Sequence, residues 1–437
     1  MTAYWCEHAW LPDGVAAGVL VLVAGGSITS VSQVDTKPPE SVPLPGLVFP
    51  GFANAHSHAF HRALRGRTHD DGGTFWTWRS RMYELAGCLD PDSYFLLARA
   101  VYAEMALAGV TCVGEFHYLH HTPDGAQYTD PNAMGHALIE AAHAAGIRLT
   151  LLDTCYLTGG INQPLSPEQR RFSDGDAHRW AERVADLRPD ATTRVGAAIH
   201  SVRAVPREAL PVVAGFAGPL HVHLSEQPAE NNVCRTAYGR SPTELLADAG
   251  VLSPRTTAVH ATHLTGDDIA LLGSTTTGVC LCPTTEADLA DGVGPARELA
   301  DAGCPLSLGS DQHAVVDPMA EARALEYGER LRTGRRGRFT PAELVTALTS
   351  AGHTGLGWPE AGRIAPGAPA DLVAVRLDTP RTAGSLPTQA ILSASASDVD
   401  IVIVAGKTVV SSGAHILGDI AELLATAIEG LIKGQCP

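Results

Sequence analysis

The sequence predicts an α/β fold: a (β/α)8, TIM-like barrel over residues 47–362, joined to a small β-sandwich domain that residues 1–46 and 363–437 build together. Three observations predict it. Eight short apolar runs alternate with longer helical patterns through the middle of the chain. Apolar strands buried on both faces, each followed by a helix, mark a parallel sheet, and eight such units close a barrel. Short strand patterns punctuated by glycine and proline occupy the two ends of the chain. Histidines recur where the apolar runs stop, which is where a barrel collects its chemistry.

Composition sets the outer bounds. The chain has 437 residues, 45% hydrophobic and 18% charged, as an ordinary globular protein does. A net charge of −16 argues against nucleic acid and against anionic membrane as partners. An anionic substrate would need a local cluster of arginines. Nine cysteines are scattered with no C-x-x-C pair, and Cys280 and Cys282 read as buried strand residues. All nine are expected as reduced thiols in a reducing compartment. Met1 to Asp13 lacks a basic leader region, and Val15 to Ala24 is too short to span a bilayer. The chain is expected to be cytoplasmic.

The elements follow in order. Ala3-Tyr4-Trp5, Val19–Val23 and Ile28–Val31 read as strands, punctuated by Gly25-Gly26 and Pro38-Pro39. The barrel runs are Leu47–Ala55, Val110–Gly114, Leu149–Asp153, Val195–Ile199, Leu220–Leu224, Ala258–Val259, Val279–Cys282 and Leu306–Gly309. Ser93–Ala108, closed by Gly109, is amphipathic and helical. Asp130-Pro131 opens another helix, and Gly146 follows its end. Ser241-Pro242-Thr243-Glu244 and Thr340-Pro341-Ala342-Glu343 are capping boxes with proline at the first helical position. The basic run Arg330, Arg332, Arg335, Arg336, Arg338 is broken by glycines and reads as a solvated loop. Ala370–Val375, Ile401–Val404 and Thr408–Val410 return to strand, with a turn at Ala405-Gly406-Lys407. Asp419–Lys433 is an amphipathic helix.

The first barrel run ends in His56-Ser57-His58. Alternate strand residues share a face, so both imidazoles can hold one ion. Alone, the pair could be chance. But strand four ends at His200, strand five at His221-Val222-His223 with Glu226 close behind, strand six at His260, and strand eight at Ser310-Asp311. Together these point to a metal site. Three imidazoles and one carboxylate, from His56, His58, His223 and Asp311, suit Zn2+ or a similar divalent ion, one per subunit. His221 faces the same way one layer deeper and reads as core. A lysine-bridged pair of metals is removed, because Lys37, Lys407 and Lys433 all lie outside the barrel. A bridging glutamate such as Glu115 stays open.

Pro50-Gly51-Phe52…His56-Ser57-His58, with Val222-His223…Glu226, Val259-His260 and Gly309-Ser310-Asp311, resembles the deaminase branch of the amidohydrolase superfamily. So does the segment from Gly362-Arg363-Ile364 to Ala370-Asp371-Leu372. Across most of the chain the resemblance is closer, to the formimidoylglutamate deiminases. His56-Ser57-His58-Ala59-Phe60, Phe75-Trp76-Thr77-Trp78-Arg79 and Glu115-Phe116-His117-Tyr118-Leu119-His120-His121 carry it. Gln169-Arg170-Arg171-Phe172, His200-Ser201-Val202-Arg203-Ala204-Val205, Val259-His260-Ala261-Thr262-His263 and Thr285-Glu286-Ala287 do so too.

The resemblance implies metal-dependent hydrolysis of N-formimidoyl-L-glutamate to N-formyl-L-glutamate and ammonia, in histidine degradation, by a homodimer. It implies Asp311 as both ligand and base, His260 as the group that stabilises the tetrahedral intermediate, and Glu226 as the proton donor to the imine nitrogen. It implies one departure: His61 stands where the family carries a glutamine that touches substrate. The substrate is a small dianion. Arg79, in the long loop after strand one, and Arg203, after strand four, are the candidate counter-charges. Tyr118, His200 and His61 add hydrogen bonds. Two alternatives differ in kind. A sister deaminase of purines or other aminated heterocycles needs aromatic or amide partners rather than arginines. A non-catalytic barrel scaffold would lack the ligands present here.

Overall fold

The computed structural model describes residues 1–68 and 72–433. Two eight-stranded sheets organise them. The terminal segments supply β1 (Thr2–Leu11), β2 (Gly14–Ala24), β3 (Ser27–Gln33) and β4 (Val42–Pro50). The barrel follows as β5 (Phe52–Ser57), β6 (Val110–His117), β7 (Arg148–Cys155), β8 (Thr193–Ile199), β9 (Leu220–Leu224), β10 (Thr256–His260), β11 (Gly278–Leu281) and β12 (Leu306–Leu308). The chain then returns to the first sheet with β13 (Leu372–Val375), β14 (Val399–Val404), β15 (Lys407–Ser411) and β16 (Ala414–His415).

The barrel strands are parallel and lie in sequence order from β5 to β12. The ring closes between its first and last strands. The Asp311 N–H donates to the His56 carbonyl at 3.0 Å, and the His58 N–H donates to the Asp311 carbonyl at 3.1 Å. The Asn54 amide adds two bonds across the same seam, donating to Ser310 Oγ at 2.7 Å and accepting from the Ser310 N–H at 2.9 Å. A Cβ on Gly309 would stand 2.8 Å from His56 Cβ, so only glycine admits this approach.

Each expected apolar run falls on a barrel strand, several of them longer than the run, with one correction. Leu47–Pro50 belongs to β4, which pairs with β1 and β13 in the other sheet. The chain changes sheets at Gly51, whose added Cβ would meet Thr111 Oγ1 at 2.2 Å. An unbroken apolar run hides such a change, because both strands are buried on both faces.

The first sheet is mixed, in the order β16-β15-β14-β13-β4-β1-β2-β3. Its alternate residues divide its faces. Cys6, Val21, Leu44, Val48, Leu372 and Ile403 form a separate core. Leu47, Phe49, Val373, Val375 and Val402 turn the other way and join the barrel core. The turn before β15 is Ala405-Gly406, with φ of 49° and 74°, so Lys407 already pairs with Val404.

Both expected capping boxes form, at Ser241 and Thr340. The helix Pro91–Leu107 starts on an Asp90 cap. The next begins at Ala133 rather than at Asp130-Pro131, because the Asp130 side chain accepts the Asn132 N–H and makes a turn first. It ends at Gly146, with φ 77°. The last helix, Ile420–Lys433, packs on Pro91–Leu107.

The basic run is not simply a solvated loop. Arg330 and Arg332 lie on the last turn of the helix Pro318–Thr333, which brings the acids of its preceding turn into reach. Arg330 pairs with Glu326 at 2.7 Å, Arg332 with Glu329 at 2.9 Å, and Arg338 with Glu329 at 3.6 Å. Cys6, Cys112, Cys155, Cys234, Cys280, Cys282 and Cys304 are buried free thiols. Cys88 departs from expectation: it is disulfide-bonded, at a half-buried site that a partner can reach. Cys436 lies outside the described residues. Among the described residues, no helix is long and apolar enough to cross a membrane.

Candidate metal centre and substrate cavity

His56 leaves β5 near its end and His58 follows it, their rings 4.7 Å apart. His223 comes from β9, and Asp311 from the seam after β12. His56 Nε2 and His58 Nε2 each stand 3.4 Å from Asp311 Oδ1, and His56 Nε2 stands 3.1 Å from His223 Nε2. Four donors about 2.1 Å from one tetrahedral ion stand about 3.4 Å apart. His58 Nδ1 donates to the Phe116 carbonyl and His223 Nδ1 to the His200 carbonyl, both at 2.9 Å. This fixes the tautomer that leaves Nε2 with a free lone pair. Burial, aided by the neighbouring imidazoles, depresses the pKa of His56 and His223 and takes His58 down to about 3. His56 Nδ1 is buried without a hydrogen-bond partner, and its Nε2 faces His223 Nε2 at 3.1 Å, near the separation of two donors on one ion. The donor set therefore fits a divalent ion, and its all-nitrogen-and-carboxylate character suits zinc.

His260 lies beside this cluster, nearly parallel to the His223 ring. Its Nε2 is 3.7 Å from Glu226 Oε1 and 3.8 Å from Asp311 Oδ2, and its Nδ1 is 3.4 Å from Glu286 Oε1. Burial opposes a charge on His260, but the Glu226, Glu286 and Asp311 carboxylates outweigh it and hold the imidazole protonated well above its ordinary range. Burial raises the Glu226 carboxyl, with His260 and Arg203 pulling against it. His260 and Asp311 both take left-handed backbone, at φ 68° and 44°. Such strained residues cluster where side chains must be aimed.

Glu115 does not join the cluster. Its oxygens accept from Ser57 Oγ and the Ala59 N–H, each at 2.7 Å, which ties down the segment carrying the two histidines. His221 bonds the Gly355 carbonyl and also stays out.

A cavity opens beside this cluster. His61, Arg79, Tyr118, His200 and Arg203 all line it, together with Glu226, His260 and Asp311. His61 Nε2 lies 3.0 Å from the Tyr118 hydroxyl. Arg203 stands between Glu226 at 3.7 Å and Glu230 at 3.5 Å. Arg79 stands on the helix Phe75–Ala86 and not in a loop: Thr74 caps it, and Phe75, Trp78, Met82 and Ala86 bury one face. Trp78, Tyr83, Tyr156, Phe172 and Glu230 were not singled out from the sequence. Tyr156 directly follows β7, so the strand-end rule reaches it. Tyr83 stands four residues after Arg79, one turn on along the same helix, and Glu230 lies in the first turn of the helix Pro228–Tyr238 that follows Glu226.

His117, His120 and Asp153 form a second cluster within ligand range. Here the carboxylate is already claimed. Arg183 donates to Asp153 at 2.9 and 2.8 Å, Trp180 Nε1 donates at 3.0 Å, and Arg183 also holds Asp174. A guanidinium in that place repels a cation, so this is a structural network. Burial opposes ionisation of Asp153 and Asp174, but Arg183 with His120 for the first, and His121 with Arg183 for the second, carry both below the usual value of 3.8. A depressed carboxylate stabilises the fold above its unfolded pKa and loses that contribution as pH falls through the folded one. Arg183→Met should cost about 3–5 kcal/mol at pH 7, read by urea unfolding. The gap to the parent should narrow steadily below about pH 4, and a gap that ignores pH would reject the network as its source.

A parallel barrel with this cluster at its mouth has the make-up of a metal-dependent hydrolase. The Amidohydrolase family model matches residues 47–409, and the chain belongs to that family. It is 36% identical to the formimidoylglutamate deiminase of Pseudomonas aeruginosa over 95% of this chain and 96% of that protein. It is 30% identical to the 8-oxoguanine deaminase of the same organism, over 89% of this chain and 88% of that one. A crystal structure of an amidohydrolase from Brucella melitensis superposes with a TM-score of 0.93 at 32% identity, covering 99% of this chain and all of that one.

Proposed function

We propose that the chain hydrolyses N-formimidoyl-L-glutamate to N-formyl-L-glutamate and ammonia, using one zinc ion held by His56, His58, His223 and Asp311. One observation carries the substrate: in a protein of net charge −16, two arginines, Arg79 and Arg203, line the same cavity as the ligands. A dianion needs that local counter-charge, and guanidinium pairs bidentately with carboxylate. The relation to the Pseudomonas deiminase supports the same reading. Histidine breakdown, the cytoplasm and a homodimeric assembly belong to this proposal.

A divalent ion bound there supplies the Lewis acidity that makes water nucleophilic near neutral pH. The residues do the rest. Asp311 accepts the proton that water gives up as its oxygen bonds to the formimidoyl carbon. Protonated His260, 3.8 Å from Asp311, faces the oxygen on which negative charge gathers. Glu226, buried and with its carboxyl raised, gives a proton to the imine nitrogen. Asp311 passes its proton on to the resulting amino nitrogen, the carbon–nitrogen bond breaks and ammonia leaves, while the hydroxyl proton returns to Glu226 and the formyl carbonyl remains. Arg79 and Arg203 hold the carboxylates, while Tyr118, His200 and His61 orient the chain between.

Ammonia release should be fast with formimidoylglutamate, slower with its aspartate analogue and absent with purines. Chelation should abolish it, and added zinc should restore it. Release from a purine alone would overturn the reading. The aromatic walls of Trp78, Tyr156 and Phe172 favour a second reading, a deaminase of a flat heterocycle, as in the 8-oxoguanine relative. That reading requires Arg203→Ala to keep its activity.

A further inference from the structure

Arg79 is held in an unusual way for a half-buried cation. Among the described residues no carboxylate pairs with it, and its immediate partners are phenols. Arg79 Nε donates to the Tyr83 hydroxyl at 2.6 Å, its guanidinium lies 5.1 Å from the Tyr83 ring centre, and Tyr156 also hydrogen-bonds it. Both phenols are in turn fixed by one amide. Gln169 Nε2 donates to Tyr156 at 2.8 Å and to Tyr83 at 3.0 Å, while Gln169 Oε1 accepts the Ser166 N–H at 2.8 Å. Those three bonds assign the amide orientation and use both of its N–H groups. Gln169 is itself buried, on the short helix Pro167–Phe172.

The same short helix grips the Arg79 helix at its far end. Arg171, also buried, donates to the carbonyls of Ala86, of Leu89 at 2.9 Å and of His121 at 3.0 Å. Ala86 closes the helix Phe75–Ala86, so a cation meets the negative end of its dipole. Two side chains two residues apart thus clamp one helix from its flank and from its C-terminus. This wall of the cavity is braced from behind before any substrate arrives.

We propose that Gln169 is the positioning residue for Arg79: through the Tyr83 and Tyr156 hydroxyls it fixes the direction of the guanidinium that receives one carboxylate of the substrate. Gln169 does not line the cavity and acts only through the two phenols. The role rests on the dianionic substrate proposed above. It predicts a loss confined to binding, because a guanidinium far from the reacting carbon holds substrate and transition state alike.

Gln169→Leu keeps the bulk and removes the amide. KM for formimidoylglutamate should rise roughly tenfold, with kcat within about twofold of the parent. Tyr83→Phe cuts the same path while leaving the ring, and the double variant should be no worse than the worse single one. A second readout needs no substrate. In 15N-arginine-labelled protein, the Arg79 Nε–H should exchange slowly in the parent and fast in Gln169→Leu. An unchanged KM, a fall in kcat alone, additive losses or an unmoved Nε–H signal would each overturn the assignment. A parent enzyme that ignores formimidoylglutamate would overturn the proposed substrate instead, and the exchange measurement would still decide for or against Gln169.

Discussion

Asp311→Asn should lower kcat by roughly 10³- to 10⁴-fold while the protein stays folded. The substitution is nearly isosteric, so the seam bonds made by the Asp311 backbone survive. What disappears is a negative charge 3.4 Å from two imidazoles and 3.8 Å from a third. An amide oxygen is a poorer ligand and a far weaker base. Zinc content by mass spectrometry should fall together with turnover, and His260 should lose part of the field that keeps it protonated. Full activity in Asp311→Asn would remove this residue from the chemistry.

Arg203→Met carries the next largest effect. It should cut kcat/KM for formimidoylglutamate by roughly 100-fold, chiefly through KM. The loss has two parts. One substrate carboxylate goes unpaired. Glu230, fully buried behind Arg203 and lifted by that burial to about 7, loses its strongest cationic neighbour and takes up a proton more readily. The two parts separate with pH: the Glu230 part should fade below pH 7, where the group is neutral in both proteins, and the carboxylate part should not. A neutral amidine with no carboxylates is the control, and it should be cleaved equally slowly by parent and variant. If Arg203→Met bound the dianion as well as the parent does, Arg79 alone would have to carry the charge.

The barrel and the clustering of His56, His58, His223 and Asp311 were legible in the sequence because both depend on strand ends. A run buried on both faces announces itself in one dimension, and so does the polar residue that stops it. The strand-change at Gly51 was not legible, because Leu47 to Pro50 and Phe52 to Ala55 look alike when both are buried. The helix that carries Arg79 was not legible either, since Trp76, Thr77 and Trp78 are weak helix formers that packing overrides. Gln169 stood in a string that carried the family resemblance, yet nothing local says that its amide faces two phenols from distant segments. Cys88 shows the same limit: a cysteine's partner is a matter of three dimensions.

The seam between β5 and β12 also bears on synthesis. His56 emerges from the ribosome early and Asp311 late, and the strand that seats Asp311 cannot join β5 until the whole intervening barrel has been made. A nascent chain ending before Asp311 therefore carries imidazoles with no carboxylate to complete them. The full set of three imidazoles and one carboxylate is thus assembled only when the last strand meets the first.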